Sequence, residues 1–202
     1  MTVPSPAAPT TGDLLIRAAA DEFRDHGFAG TDSNKIARRA GFAPQTFYRW
    51  FKDKTAVFLA AYRLWEDEER RVLGDLVRRG ADEATLVEAT IGHHREHLRF
   101  RRSLRALSLE DATVRRARAE SRLRQVARIV RGGAGSALTE EAVAVRLLQI
   151  ERLADALAEG ELADMGLGET EARARLAALM GELRRPGPGQ PNRNPDMALP
   201  MM

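Results

Sequence analysis

Two groups of side chains in this chain have types and spacings that could do chemistry. His93 and His97 stand four residues apart with Glu96 close by, and on a helix that puts two imidazoles on one face at metal-ligand spacing. His94 adds a third imidazole to the same stretch. There is no cysteine, and no second cluster of ligands is visible elsewhere, so neither a metal nor another cofactor is expected. No nucleophile, base and orienting residue can be assembled, so catalysis has no positive support. A small metal-dependent enzyme using His93 and His97 stays as one alternative.

The second group is the stretch TDSNKIARRAGFAPQTFYRWFKDK, Thr31 to Lys54. Ile36, Ala37 and Ala40 share one helical face, and Gly41 follows where a left-handed residue is cheap. Pro44 then opens a second helix at the position where its missing N–H costs nothing. That second helix, 44–51, is too short and too polar to be a core helix, yet it carries Gln45, Thr46, Tyr48, Arg49 and Trp50 beside Lys52 and Lys54. Between Thr31 and Arg63 the basic residues Lys35, Arg38, Arg39, Arg49, Lys52, Lys54 and Arg63 face only Asp32 and Asp53. Helix, tight turn and short basic helix suit a DNA groove.

The elements that must hold these groups are all helical, because no strand-like alternation occurs anywhere. Residues 1–11, rich in Pro, Ala and Thr, read as a disordered arm. Leu14, Leu15, Ala18, Ala19 and Phe23 form the apolar stripe of a first helix that ends at His26-Gly27, and Phe28 is expected to pack on the core of the two-helix motif. Thr31 or Asp32 caps the next helix. A long helix follows Lys54 to about Arg79, and Gly80-Ala81-Asp82 breaks it. Further helices carry Leu86 to about Leu98, then Phe100 to Leu107, then Val114 to Val130. The loop at 132–136 precedes a helix from Thr139 to about Ala163, and Gly166-Leu167-Gly168 separates that from a last helix, Glu169 to Leu183. Residues 185–202, with five prolines, read as a disordered tail.

The pattern now resembles a known family. Ala19, Phe23, Gly27 and Phe28 spell AxxxFxxxGF; Ile36, Ala37, Ala40 and Gly41 spell IAxxAG; Thr46, Tyr48 and Phe51 spell TxYxxF, followed by Lys54. With Thr31, these positions resemble the amino-terminal domain of the TetR family of bacterial transcriptional regulators, over about a quarter of the chain. The resemblance implies a TetR-like all-α fold, with a three-helix helix-turn-helix DNA-binding domain over 12–64 (motif about 32–51) and a larger helical effector-binding and dimerisation domain over 65–184. It implies a homodimer that binds double-stranded DNA at a palindromic operator, acts as a repressor, and is released by a small-molecule effector.

On that resemblance, the helix from Pro44 lies in the major groove and the one from about Asp32 to Ala40 supports it. Gln45 and Asn34 are the expected base readers, since each amide can pair bidentately with adenine, and Arg49 could take guanine. Pro44 and Thr46 offer apolar contact to thymine methyls. Ser33, Lys35, Arg38, Tyr48, Trp50 and Lys54 are assigned to phosphates. Three departures from the common family pattern stand out: Trp50 where a histidine is usual, Ser33 where an apolar residue is frequent, and Ala43-Pro44 in place of a serine cap. His93, His94 or His97, with Trp65 and Phe100, are expected to line an effector cavity between the middle helices, the alternative being plain packing or exposure. The helices at about 139–163 and 169–183 are expected to form a four-helix dimer interface with a second copy.

No apolar run approaches the roughly 18 residues of a membrane span, and the amino terminus lacks a leader pattern, so the expected address is cytoplasmic. Arginine is dense from Arg95 to Arg131, which admits a competing function in binding RNA or another polyanion.

Overall fold

The computed structural model describes residues 8–132 and 138–185. These fold into two compact units, Met1–Trp65 and Glu66–Met202, with no strand among the described residues. The loop expected at 132–136 and the tail expected after Arg185 fall almost wholly outside the described residues.

The first unit contains helix α1, Thr11–His26, α2, Ser33–Arg39, α3, Pro44–Trp50, and the start of α4, Lys54–Arg78. α1 begins within the segment expected to be an arm. Thr10 accepts from the Asp13 N–H while Asp13 bonds back to the Thr10 N–H, a reciprocal box that satisfies two otherwise unpaired donors. The core joins Leu15, Ala19 and Phe23 of α1 to Ile36, Ala37, Phe47, Val57 and Phe58. Phe23, Phe28 and Phe58 pack as a trio of rings with centroids 5.0 to 5.9 Å apart. Gly27 ends α1 with φ 69 but ψ 177, a positive φ outside the left-handed helical well that the sequence suggested.

The turn between α2 and α3 has a specific cause. The Phe42 N–H donates to the Ala37 carbonyl and the Gly41 N–H to the Arg38 carbonyl, closing the end of α2 in a Schellman arrangement with Gly41 at φ 80. Pro44 then opens α3 at its first turn, and Ala43 supplies no side-chain cap. At the start of α2 the Asp32 carboxylate accepts from the Lys35 N–H, and at the start of α4 Asp53 accepts from the Ala56 N–H. Both acids of the basic segment thus serve as caps.

The second unit takes the remainder of α4 with α5, Glu83–Glu96, α6, Leu98–Glu110, α7, Ala112–Arg131, α8, Glu140–Glu159, the short α9, Glu161–Asp164, and α10, Thr170–Arg184. Gly160, at φ 79, ends α8 four residues before the sequence reading placed its end. α8 packs against α5, α7 and α10. Val143, Leu147, Ile150, Ala154 and Leu157 from α8 meet Leu86 and Ile91, Val126 and Ile129, and Leu176, Leu179 and Met180 in one apolar cluster. Asp82 and Thr139 cap α5 and α8 through their side chains.

A Cβ added at Gly41 would meet nothing within 4 Å, so substitution there tests the backbone alone. Gly41→Ala is expected to destabilise the protein by about 1–2 kcal/mol through its left-handed φ. An unchanged denaturation midpoint would contradict the turn described.

Candidate functional site

α3 is only seven residues long and cannot hold itself together in water. Phe47 anchors it, fully buried, with its ring 5.7 Å from that of Phe51. Gln45, Tyr48 and Arg49 lie one and two residues to either side, so they emerge together on the opposite face and are exposed. Tyr48 is 60% exposed although its ring edge meets Phe47. Its hydroxyl lies 2.8 Å from that of Ser33, which ties the start of α2 to α3 and sets these two expected phosphate contacts side by side. Asn34, Lys35 and Arg38 are exposed along α2, while Pro44 and Thr46 are half-buried.

Two residues stand differently from the sequence reading. Lys54 turns inward: its ammonium donates to the carbonyls of Phe28 at 2.7 Å and Thr31 at 2.9 Å and lies 4.1 Å from the centre of the Phe28 ring. Burial pushes that ammonium below its ordinary pKa, with Asp32 opposing. These contacts hold the loop between α1 and α2, a positioning role that the sequence did not reveal. Trp50 leans on α1. A Cβ at Gly12 would fall 2.6 Å from the indole Cε3 and 2.8 Å from Cζ3, so the six-membered ring packs closely on that glycine. The residue nevertheless stays 51% exposed.

A polar link beneath this surface has no local signature in the sequence. Glu22 of α1, nearly buried, accepts from the Thr31 hydroxyl at 2.7 Å and from Arg39 at 3.0 Å. Burial would raise the Glu22 carboxyl, but these two hydrogen bonds outweigh it and hold the pKa below its ordinary value. Arg39 also pairs with Asp25 at 2.8 Å. It is therefore directed toward α1, while Arg38 beside it stays exposed.

In the second unit the expected effector residues separate. Trp65, which closes the first unit, is buried and stacks on Tyr62 at 6.2 Å, and Phe100 is buried in α6. His93 and His97 keep company, their ring centroids 4.5 Å apart. His94 faces another way and is fully buried. Its Nδ1 donates to Asp155 at 2.9 Å, and its Nε2 lies 3.7 Å from Glu69. Arg101 donates to the same Asp155 oxygen at 2.6 Å. Asp155 belongs to an acidic row on α8, Glu151, Asp155 and Glu159, at four-residue steps. Arg118 and Arg122 of α7 pair with Glu151, and Arg105 of α6 pairs with Glu159. Four arginines of the segment that admitted the polyanion alternative, Arg101, Arg105, Arg118 and Arg122, are thus paired with acids of α8. That four-residue acidic repeat was the available signal, masked by the apolar stripe running beside it.

These geometries define a class: a helix-turn-helix unit with an exposed, basic second helix, joined to an all-helical unit organised around α8. Comparison with known proteins adds a family. Residues 15–61 match the family model described as bacterial regulatory proteins, tetR family. A 44-residue stretch is 41% identical to YdgC, an uncharacterized HTH-type transcriptional regulator of Bacillus subtilis, covering 22% of this chain and 23% of that relative. The fold is similar to that of a transcriptional regulator from Rhodococcus sp. Rha1, with a TM-score of 0.59 at 19% identity over 86% of this chain and 96% of that one. A candidate TetR-family regulator from Rhodococcus sp. gives 0.61 at 21% identity over 83% and 95%. Among the described residues no helix is long and apolar enough to cross a membrane.

The buried imidazole carries a pH dependence. Burial, with Arg101 and His97, pushes His94 from its ordinary 6.5 down to about 4, against the pull of Asp155. As pH falls from 6.5 toward 4, the unfolded chain binds a proton that the native His94 refuses, so stability declines across that window. His93, pushed by burial to about 3, adds to the same trend. The combined loss is on the order of a few kcal/mol. Thermal midpoints are expected to fall with acid, and His94→Gln is expected to flatten the slope. An equal slope in that variant would contradict the assignment.

Proposed function

We propose that this chain is a DNA-binding transcriptional regulator that inserts α3 into the major groove as one half of a homodimer. The observation that carries the reading is the exposed face of Gln45, Tyr48 and Arg49 on a helix pinned from beneath by Phe47, within a unit that matches the tetR family model. Gln45 and Asn34 read adenine edges, and Arg49 reads guanine. Ser33, Lys35, Arg38, Tyr48 and the N–H edge of Trp50 hold phosphates, while Pro44 and Thr46 meet thymine methyls.

Pairing is proposed through α8 and α10. Val145 and Leu148 are about half exposed and, with Leu153 and Leu179, line an apolar groove between those helices. A homodimer that reads two half-sites one turn of DNA apart needs its two recognition helices about 34–36 Å apart. The second unit is proposed to bind a small-molecule effector more tightly in its DNA-incompetent arrangement, so that the protein acts as a repressor that the effector releases.

The test is fluorescence anisotropy on a sequence selected from random DNA, at stated salt, beside a scrambled control. Tyr48→Phe is expected to weaken both duplexes alike, because a phosphate contact is blind to sequence, whereas Gln45→Ala is expected to cost about 1–3 kcal/mol on the selected site alone. Equal losses on both duplexes for Gln45→Ala would remove it as a base reader. Light scattering checks the pairing: a mass of one chain at working concentrations would refute it.

A further inference from the structure

The last turn of α5 holds a second grouping that the regulatory reading does not use. One ligating atom from each of His93, Glu96 and His97 lies within 4.8 Å of the others. The sequence reading set metal aside for want of a second ligand cluster, but here one turn supplies three donors. Two histidines four apart on one helical face are a recurrent zinc pair, and the glutamate at the intervening position adds the charge that two neutral imidazoles lack.

The tautomer of His97 is fixed by its neighbour. Its Nδ1 lies 3.0 Å from the main-chain oxygen of His93, and a carbonyl can only accept, so Nδ1 carries the proton. The lone pair is thereby left on Nε2. This is the outer support that metal-ligating histidines commonly have: one nitrogen donates to a carbonyl and the other meets the cation. Exposure is graded in the same sense. His93 is buried, His97 half-buried and Glu96 exposed, so the grouping opens to solvent on one side. A cation can enter there and keep water in its remaining positions. Bonds of about 2.0–2.2 Å to a tetrahedral ion need donor atoms about 3.4 Å apart, a closure toward which the exposed Glu96 can move by side-chain rotation.

We propose that His93, Glu96 and His97 form a binding site for one divalent transition cation of the zinc class. Two imidazole nitrogens and one carboxylate oxygen suit Zn(II), Co(II) or Ni(II), whereas Ca(II) and Mg(II) want an all-oxygen shell. His94 is no part of the set, being turned to Asp155.

The test titrates Co(II) into the full chain after chelator treatment and reads its visible absorption, with Zn(II) as competitor. One cation per chain is expected, displaced by Zn(II). Glu96→Gln and His97→Gln, both at solvent-accessible positions, are each expected to weaken binding by at least about tenfold, the scale on which even the outer partners of a metal site act. His26→Gln, an exposed histidine remote in sequence, is expected to leave the titration unchanged. Circular dichroism checks that each variant is folded. Absence of an absorption band at saturating cation, or an unaltered titration in folded His97→Gln, would overturn the site. Neither result bears on DNA binding, which is measured in the absence of metal.

Discussion

The burial of Phe47 is the constraint on which the rest depends. A seven-residue helix with no side-chain cap at its start has no independent stability, so α3 exists only because that ring fills the core of the first unit. Burying a phenylalanine contributes roughly 1.5–3 kcal/mol, more than the missing cap withholds. The remaining ties are refinements of direction: the Schellman turn at Gly41 sets the angle of approach, the Ser33 to Tyr48 contact fixes rotation, and Trp50 against Gly12 fixes the far end. Polar side chains can then crowd one face, since none of them is needed for folding.

Beneath this surface, charge is sorted between folding and recognition. Arg39 and Lys54 point inward, one to Glu22 and Asp25 and the other to two carbonyls, and they hold α1, α2 and the intervening loop. Asn34, Arg38, Gln45 and Arg49 stay outward, and Lys35, though exposed, donates to the Gly30 carbonyl at 3.0 Å. The second unit uses the same economy on a larger scale, with the acidic row of α8 binding arginines of α6 and α7. Buried pairs of this kind contribute little net stability over apolar packing, but removing one partner leaves a stranded charge that costs about 3–5 kcal/mol. They specify which faces of α6, α7 and α8 meet.

The all-helical fold, the two-helix motif and its exposed face were legible because each rests on short-range rules: a period of 3.6, a glycine with positive φ, a proline at the first helical position. The inward turn of Lys54 was not, since nothing local distinguishes a lysine that meets phosphate from one that meets carbonyls 23 and 26 residues away. The role of Asp155 was hidden likewise, its partners lying 54 and 61 residues distant. The early end of α8 was readable in principle: Gly160 is the left-handed cap, passed over because the apolar pattern continues through Leu162.

The central claim is that an otherwise unstable helix is held outward in order to read DNA. Footprinting the full chain on the DNA beside its own coding region, at stated salt, tests it most directly. The proposed function predicts a protected palindromic site, lost when Gln45 and Arg49 are both replaced by alanine in a protein that remains folded. No protected site, or protection unaltered by that double replacement, would contradict it.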